Sequence, residues 1–354
     1  MVLKQTQVDL TVIIPCHNEQ GNLITTFDSI KNQTVLPKVV YFVDDLSVDN
    51  TLKEILSLVR EGQRIGLKVV CLQTEKNLFR AGACNKALKF VNTEYVLLMD
   101  AGTILDSKAL EYAIETLQND STIGIVCSKA GVIKGKGFLH RLQKLDYGTT
   151  DLSRMVTRNN ILISHGLFSM TRTSIMKQVN YYSDGVLLED YDLTVKIKLL
   201  GYKAVYNPQV KAYTKTVTTW KALHKQRFRW YLGGLDVVTK FGYNKVTRED
   251  IFNHILYLSF FFLIVLSITF GGSTLLSLFN GVSLQWNNFF IIPLVLFIVN
   301  YVIVLLSLGY VDKLDKKDIV IRVTLIPELV YVFFLEVAKW RAYLTKMFSS
   351  KRKW

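Results

Sequence analysis

Glu189 and Asp190 stand side by side ahead of an apolar-periodic run, Leu193, Val195, Ile197, Leu199 and Leu200, that Gly201 stops. The spacing predicts a helix with both carboxylates at its N-terminus. Residues 202–206 then read as a short strand closed by Asn207-Pro208. Farther on, Thr218 or Thr219 can cap a second helix carrying Trp220, Leu223, Gln226, Arg229 and Trp230. Gln226, Arg229 and Trp230 stand at i, i+3 and i+4, so an amide, a guanidinium and an indole share one face. A carboxylate can take a proton from a hydroxyl, and the amide–guanidinium–indole face suits an anionic, sugar-bearing ligand. Plainer uses of the same residues are a helix cap, worth about 0.3–1 kcal/mol through the macrodipole, and an amphipathic helix at a membrane surface.

The elements that must position these groups lie upstream. Residues 8–15 (VDLTVIIP) form a continuous apolar run of the kind found in buried parallel strands. Helical spacing around Leu23, Phe27 and Ile30 leads to a strand over 38–43, a helix over 51–60 and a strand over 68–72. A helix over 83–90 and a strand over 95–99 follow. This alternation predicts an α/β doubly wound sheet, with ligands bound beyond the carboxyl ends of the strands. Polar clusters fall at those ends: Cys16-His17-Asn18-Glu19, Asp44-Asp45-Leu46-Ser47 and Asp100-Ala101-Gly102-Thr103.

Half of the 354 residues are hydrophobic and the formal charge is +14. No zinc-finger spacing or arginine-rich arm accompanies that charge, which argues against nucleic acid and for a basic cytosolic face on a membrane protein. Cys16, Cys71, Cys84 and Cys127 show no CxxC pairing, so neither a zinc site nor a disulfide framework is indicated. The N-terminus has no apolar run of signal-peptide length, and the first part of the chain is expected in the cytosol.

Residues 255–311 contain no Asp, Glu, Lys or Arg. Asn280-Gly281 and residues 285–288 break them into two apolar segments, about 255–279 and 289–310, each near the length that crosses a bilayer. A charged loop, 312–318, returns to the cytosol. A third apolar segment, about 319–338, holds Arg322, Pro327 and Glu328 and is expected as a crossing, a re-entrant segment or an interfacial helix, its charges facing the protein. A basic tail ends the chain. The division expected is 1–240, a cytosolic catalytic domain, and 241–354, a multi-pass region in the cytoplasmic membrane.

Taken in order, IIPCHNE (13–19), VDDLSVDNT (43–51), RAGACNKAL (80–88), MDAGT (99–103), LLEDYDL (187–193) and QRFRW (226–230) resemble family 2 glycosyltransferases. The likeness is to their membrane-embedded branch of cellulose, chitin, hyaluronan and poly-N-acetylglucosamine synthases. It implies a GT-A (Rossmann-like) doubly wound mixed sheet followed by C-terminal transmembrane or interfacial helices. It also implies inverting transfer from a UDP-sugar onto a glycan acceptor, forming a β-linked polysaccharide. Single transfer to a lipid-linked acceptor is the alternative, and a catalytically silent membrane subunit a further one. The lipid bilayer is an implied partner, with a second copy or a partner membrane protein completing any translocation path.

By the same resemblance Glu19, Asp44 and Asp45 hold the uridine, and Arg80 meets the diphosphate. Asp100 stands as the first acid of a DxD that binds Mg2+ or Mn2+ on the diphosphate, with Gly102 in place of the second acid. Asp190 is the general base, for which a carboxylate of ordinary pKa suffices, and Glu189 is structural or orients the acceptor. Arg229 and Gln226 meet the pyrophosphate, and Trp230 stacks on an acceptor sugar. His165 and Gly166 sit where the family has a small-residue stretch near the acceptor.

Overall fold

The computed structural model describes residues 6–259 and 291–348. Eight strands, β1 (Thr6–Cys16), β2 (Val35–Asp44), β3 (Lys68–Gln73), β4 (Tyr95–Leu98), β5 (Ile104–Leu105), β6 (Ile123–Val132), β7 (Ser169–Arg172) and β8 (Lys203–Thr214), form one sheet. Their order is β3-β2-β1-β4-β7-β6-β8-β5. The first four strands run parallel, β7 is antiparallel to both β4 and β6, and β8 is parallel to β6. The sheet is therefore mixed.

Residues 10–14 are apolar at nearly every position because both faces of β1 are covered. Val12 and Ile14 pack with α1 (Leu23–Lys31), α2 (Thr51–Ile65) and α4 (Ala109–Asn119) through Phe27, Ile55 and Leu110. Ile13, pointing the other way, packs with Ala83 and Leu88 of α3 (Phe79–Leu88), Met176 of α6 (Thr173–Gln178) and Leu193 of α7 (Glu189–Leu199). Strand β1 pairs with β2 on one side and β4 on the other, so successive crossovers run in opposite directions from it and open a crevice beyond its end. Glu19 follows β1, Asp44 closes β2, Asp45 comes next, and Asp100 lies just past β4. All three expected clusters border that crevice.

One strand differs from expectation. The chain does not stop at Asn207-Pro208; β8 continues to Thr214. Its pairing with β6 shifts register between Ser128 and Lys129, where Pro208, lacking an N–H, sits outside the ladder. Asn207 Oδ1 accepts the Gln209 N–H at 2.9 Å, closing the bulge locally.

The rest of the chain is helical. Helices α5 (Phe138–Val156) and α8 (Trp220–Phe241), a helix over 248–259 (α9), α10 (Ile291–Leu306), α11 (Lys316–Thr324) and α12 (Ile326–Phe348) lie beside the sheet domain. Thr219 is the α8 cap, its hydroxyl accepting the Ala222 N–H at 3.2 Å. Leu145 of α5, Leu223 of α8, Ile321 of α11 and Tyr331 of α12 share one core, and Trp220 meets Phe334 edge-on at 4.8 Å.

The segment expected as one element over 319–338 is two helices. Leu325, with a φ of 62°, breaks the chain between α11 and α12. Pro327 falls in the first turn of α12, where a missing N–H breaks no helical bond. Arg322 and Glu328 turn inward and pair with each other, and Arg322 also donates to Leu145 O at 2.9 Å and Ser307 Oγ at 2.8 Å. The charges do face the protein.

Apolar side chains on the outer surfaces remain exposed: Phe297, Ile298, Val302 and Leu306 on α10, Val320 and Val323 on α11, and Val330 and Phe333 on α12. Among the described residues no helix is long and apolar enough to cross a membrane. The expected 255–279 segment lies outside the described residues from residue 260 onward, as do the first two residues of the 289–310 segment and the end of the basic tail.

Candidate active site

Arg80, in the first turn of α3, ties the crevice together. Its Nε donates to Asp100 Oδ1 at 2.6 Å, Nη1 to Glu189 Oε1 at 2.9 Å, and Nη2 to the Gly166 carbonyl at 3.0 Å. The planar guanidinium, with donors spread around its rim, reaches three acceptors on three segments. Tyr182 flanks it, with the guanidinium 5.9 Å from the ring centroid. Asn85, one helical turn along α3, pins Tyr182 by bonds of 3.0 Å to both its N–H and its carbonyl. Tyr182 is a site residue that the motifs do not single out; Asn85 lies inside RAGACNKAL and was the available signal.

Gly166 faces this cluster from both ends of its backbone. Its carbonyl accepts from Arg80, while its N–H donates to Asp190 Oδ2 at 3.0 Å. A Cβ here would lie 3.0 Å from Arg80 Nη2 and from Asp100 Oδ2, so the glycine lets the loop approach both charges. The Tyr191 N–H donates to Asp190 Oδ1 at 2.8 Å. The Asp190 carboxyl is nonetheless pushed up to about 7, by burial first and by Glu189 next, with Arg80 pulling the other way. Sequence reasoning expects an ordinary carboxylate; desolvation and an acidic neighbour make it a far better base near neutral pH. His165 Nε2 meets the Ser128 carbonyl at 2.9 Å, and burial holds this imidazole well below its ordinary pKa.

The acids that follow β1 and close β2 are fixed differently. Asp44 is fully buried, its carboxylate accepting from the Ser47 N–H at 3.4 Å and from Gln73 Nε2 at 3.2 Å. Asp45 Oδ1 accepts from Thr74 Oγ1 and the Leu78 N–H, both at 2.8 Å, and so shapes the loop entering α3. Glu19 accepts from Asn22 Nδ2 at 2.7 Å, and burial raises its carboxyl pKa.

Helix α8 meets the site at its rim. A Cβ on Gly233 would stand 2.8 Å from Leu188 Cβ, so α8 packs directly on the residues preceding the acidic pair. Arg229 is exposed and donates to the Leu187 carbonyl at 3.3 Å. Trp230 lies under the Arg227 guanidinium, 4.4 Å from it, and Arg227 pairs with Asp146 of α5 at 2.6 Å. Arg229 is thus brought to the residues just before the acidic pair. Among the described residues, Gln226 and Trp230 form no hydrogen bond to Arg80, Asp100, Glu189 or Asp190.

Asp100 has the chemistry a hard divalent cation needs. Its side chain is 40% exposed, Oδ1 faces Arg80, and Oδ2 accepts no hydrogen bond among the described residues. Mg2+ or Mn2+ bound chiefly through phosphates and water asks for one or two protein carboxylates. Asp100 fits as one. Gly102, at a φ of 76°, leaves the second unassigned, and no group of three or more candidate ligands occurs among the described residues.

The sequence pattern described as "Glycosyltransferase like family 2" matches residues 7–233, well over half of the chain. The chain belongs to family 2 of the glycosyltransferases. A poly-beta-1,6-N-acetyl-D-glucosamine synthase of Staphylococcus aureus is 26% identical over 236 residues, 65% of this chain and 56% of that protein. The glycosyltransferase thus spans little more than half the length of that relative. A synthase of the same description from Staphylococcus epidermidis is 23% identical over 323 residues, covering 88% of this chain and 77% of its own. Among solved structures, a mannosyltransferase of Pyrobaculum calidifontis in complex with GDP-Man and Mn2+ superposes with a TM-score of 0.58 at 18% identity. That overlap takes in 97% of this chain and 88% of the other, and it shows that the glycosyltransferase has the same fold.

Proposed function

We propose that this glycosyltransferase moves a sugar from a UDP-sugar onto a glycan acceptor with inversion, extending a β-linked polysaccharide at the cytosolic face of a membrane. The observation that carries the reading is Asp190: a carboxylate fixed by two backbone N–H groups, pushed up to about 7, and set beside Arg80 and Asp100. In the displacement, the acceptor oxygen bonds to the anomeric carbon as the bond from that carbon to the diphosphate breaks. The electron pair leaves on UDP, and the acceptor's proton passes to Asp190. Attack opposite the leaving group inverts the centre.

The remaining roles follow the same geometry. Glu19, Asp44 and Asp45 border the crevice where a uridine would lie, and Arg80 and Arg229 offer planar guanidinium donors to the diphosphate. Glu189 holds Arg80 and raises the basicity of Asp190. Gln226 accompanies Arg229 toward the pyrophosphate, and Trp230 offers an indole face to the acceptor sugar. Asp100 would hold a divalent cation, which would supply positive charge to the leaving diphosphate. The exposed apolar surfaces of α10–α12 and the uncharged 255–311 stretch support a division near residue 240 into a cytosolic domain and a membrane region.

A panel of UDP-sugars and GDP-mannose, offered to membranes carrying the wild type or Asp190→Asn, tests the reading by nucleotide release and product length. Release from one UDP-sugar, a lengthening product and a dead variant are expected. Turnover only with GDP-mannose, or an active Asp190→Asn enzyme, overturns the donor or the base assignment.

A further inference from the structure

A groove of about 600 Å3 separates the β6–α5 loop from the first two turns of α11. Lys136, Arg141, Lys316 and Lys317 supply its charge, with no acidic residue in the lining, and Phe138 and Val320 supply its apolar wall. Arg141 is already committed to Asp315 and Asp318, each at 2.7 Å. Lys136, Lys316 and Lys317 are exposed and take part in no ion pair among the described residues. Phe138 is 49% and Val320 57% exposed, an unfavourable position for apolar groups that water alone surrounds.

The apolar wall continues away from the lysines. Val323 follows Val320 on the outer face of α11, and Ile326, Val330 and Phe333 carry exposed apolar surface on into α12. The acids of this region turn the other way: Asp318 is fully buried against Arg141 and Lys144, and Asp312 pairs with Lys129 at 2.9 Å. Asp315, half-exposed at the start of α11, is held by Arg141. Among the described residues, three ammonium groups without an ion pair therefore stand at one end of an apolar strip.

We infer that this groove binds the phosphate of an anionic phospholipid, with its acyl chains along Val320 and Val323. Charge complementarity selects an anion, and the adjoining strip selects one that carries hydrocarbon. The inference rests on the proposed membrane association. The groove lies at the carboxyl end of β6, the same edge of the sheet as the crevice, so a lipid held there fixes the height of the catalytic face above the bilayer.

The full chain, purified in mild detergent, is exposed to a photoactivatable phosphatidylglycerol and the labelled peptides are mapped. Labelling within residues 134–141 or 316–324 is expected, competed by phosphatidylglycerol and not by phosphatidylcholine or inorganic phosphate. The triple variant Lys136→Gln/Lys316→Gln/Lys317→Gln should lose affinity for the probe about a hundredfold. Phe138→Ala, a milder change, should weaken labelling in the same peptides. Equal competition by phosphatidylcholine, competition by inorganic phosphate, or unchanged labelling of both variants overturns the site. Flotation with neutral phosphatidylcholine vesicles separates the two readings. A chain that floats without selective labelling loses only the lipid site, whereas one that never floats loses the membrane association as well.

Discussion

The Gly166 N–H donates to Asp190 Oδ2 at 3.0 Å, while the carbonyl of the same residue accepts from Arg80 at 3.0 Å. One peptide segment therefore sets the distance between the proposed base and the guanidinium proposed to face the leaving group. Gly166 is not among the residues with positive φ, so alanine fits its backbone and only the new Cβ matters. At 3.0 Å from Arg80 Nη2 and Asp100 Oδ2, that Cβ forces the ion pair to shift by a few tenths of an ångström. Gly166→Ala is expected to cost about tenfold in turnover, about 1.4 kcal/mol in the barrier, with a nearly unchanged unfolding transition. Wild-type turnover in the variant would show that the pair moves freely.

Asp190 must be ionised to accept a proton, and its carboxyl stands at about 7. Transfer by the wild type should fall about tenfold per pH unit below that value and level off above it. The stability effect has the opposite sense. A carboxyl raised from 3.8 to about 7 favours the fold most below pH 3.8, and that contribution is lost as pH rises to about 7. Asp190→Asn, expected to be inactive, should therefore lack this part of the pH dependence of melting. A rate profile that is flat from pH 5 to 8 would remove Asp190 from the chemistry.

The sheet was legible because its parallel strands are buried on both faces: a run such as Leu10–Ile14, apolar on both faces and followed by a polar cluster, fits a buried parallel strand. The acidic pair was legible as a helix start, and α7 begins at Glu189. What sequence spacing could not give was burial. Nothing in LLEDYDL says that Asp190 is desolvated, and so its raised pKa had no local signal. The path of β8 through Pro208 was hidden for a related reason, since a register shift on the facing strand is a property of the pair. Tyr182 was missed because its partner Arg80 lies a hundred residues away in the chain, a separation no periodicity reports.

Arg229 reaches the Leu187 carbonyl at 3.3 Å while remaining exposed, so little of the fold depends on it. Arg229→Ala should leave the melting temperature within a degree or two and lower turnover by about tenfold or more through lost charge stabilisation. Arg229→Lys should recover only part, because an ammonium lacks the second planar donor. An alanine variant with normal turnover would assign this side chain to the surface of α8 alone.

Arg322 is fully buried at the junction of α5, α11 and α12, paired with Glu328 and donating to Leu145 O and Ser307 Oγ. Removing one partner of such a pair leaves an uncompensated buried charge, which costs about 3–5 kcal/mol. Arg322→Met alone should therefore lower the unfolding midpoint sharply. Replacing both charges, Arg322→Met with Glu328→Met, restores much of the loss, since a volume-matched apolar pair needs no desolvation of ions. Melting curves of the single and double variants in one detergent decide the matter. A double variant no more stable than Arg322→Met would mean that the bonds from Arg322 to α5, rather than its charge balance with Glu328, hold α11 and α12 against the catalytic domain.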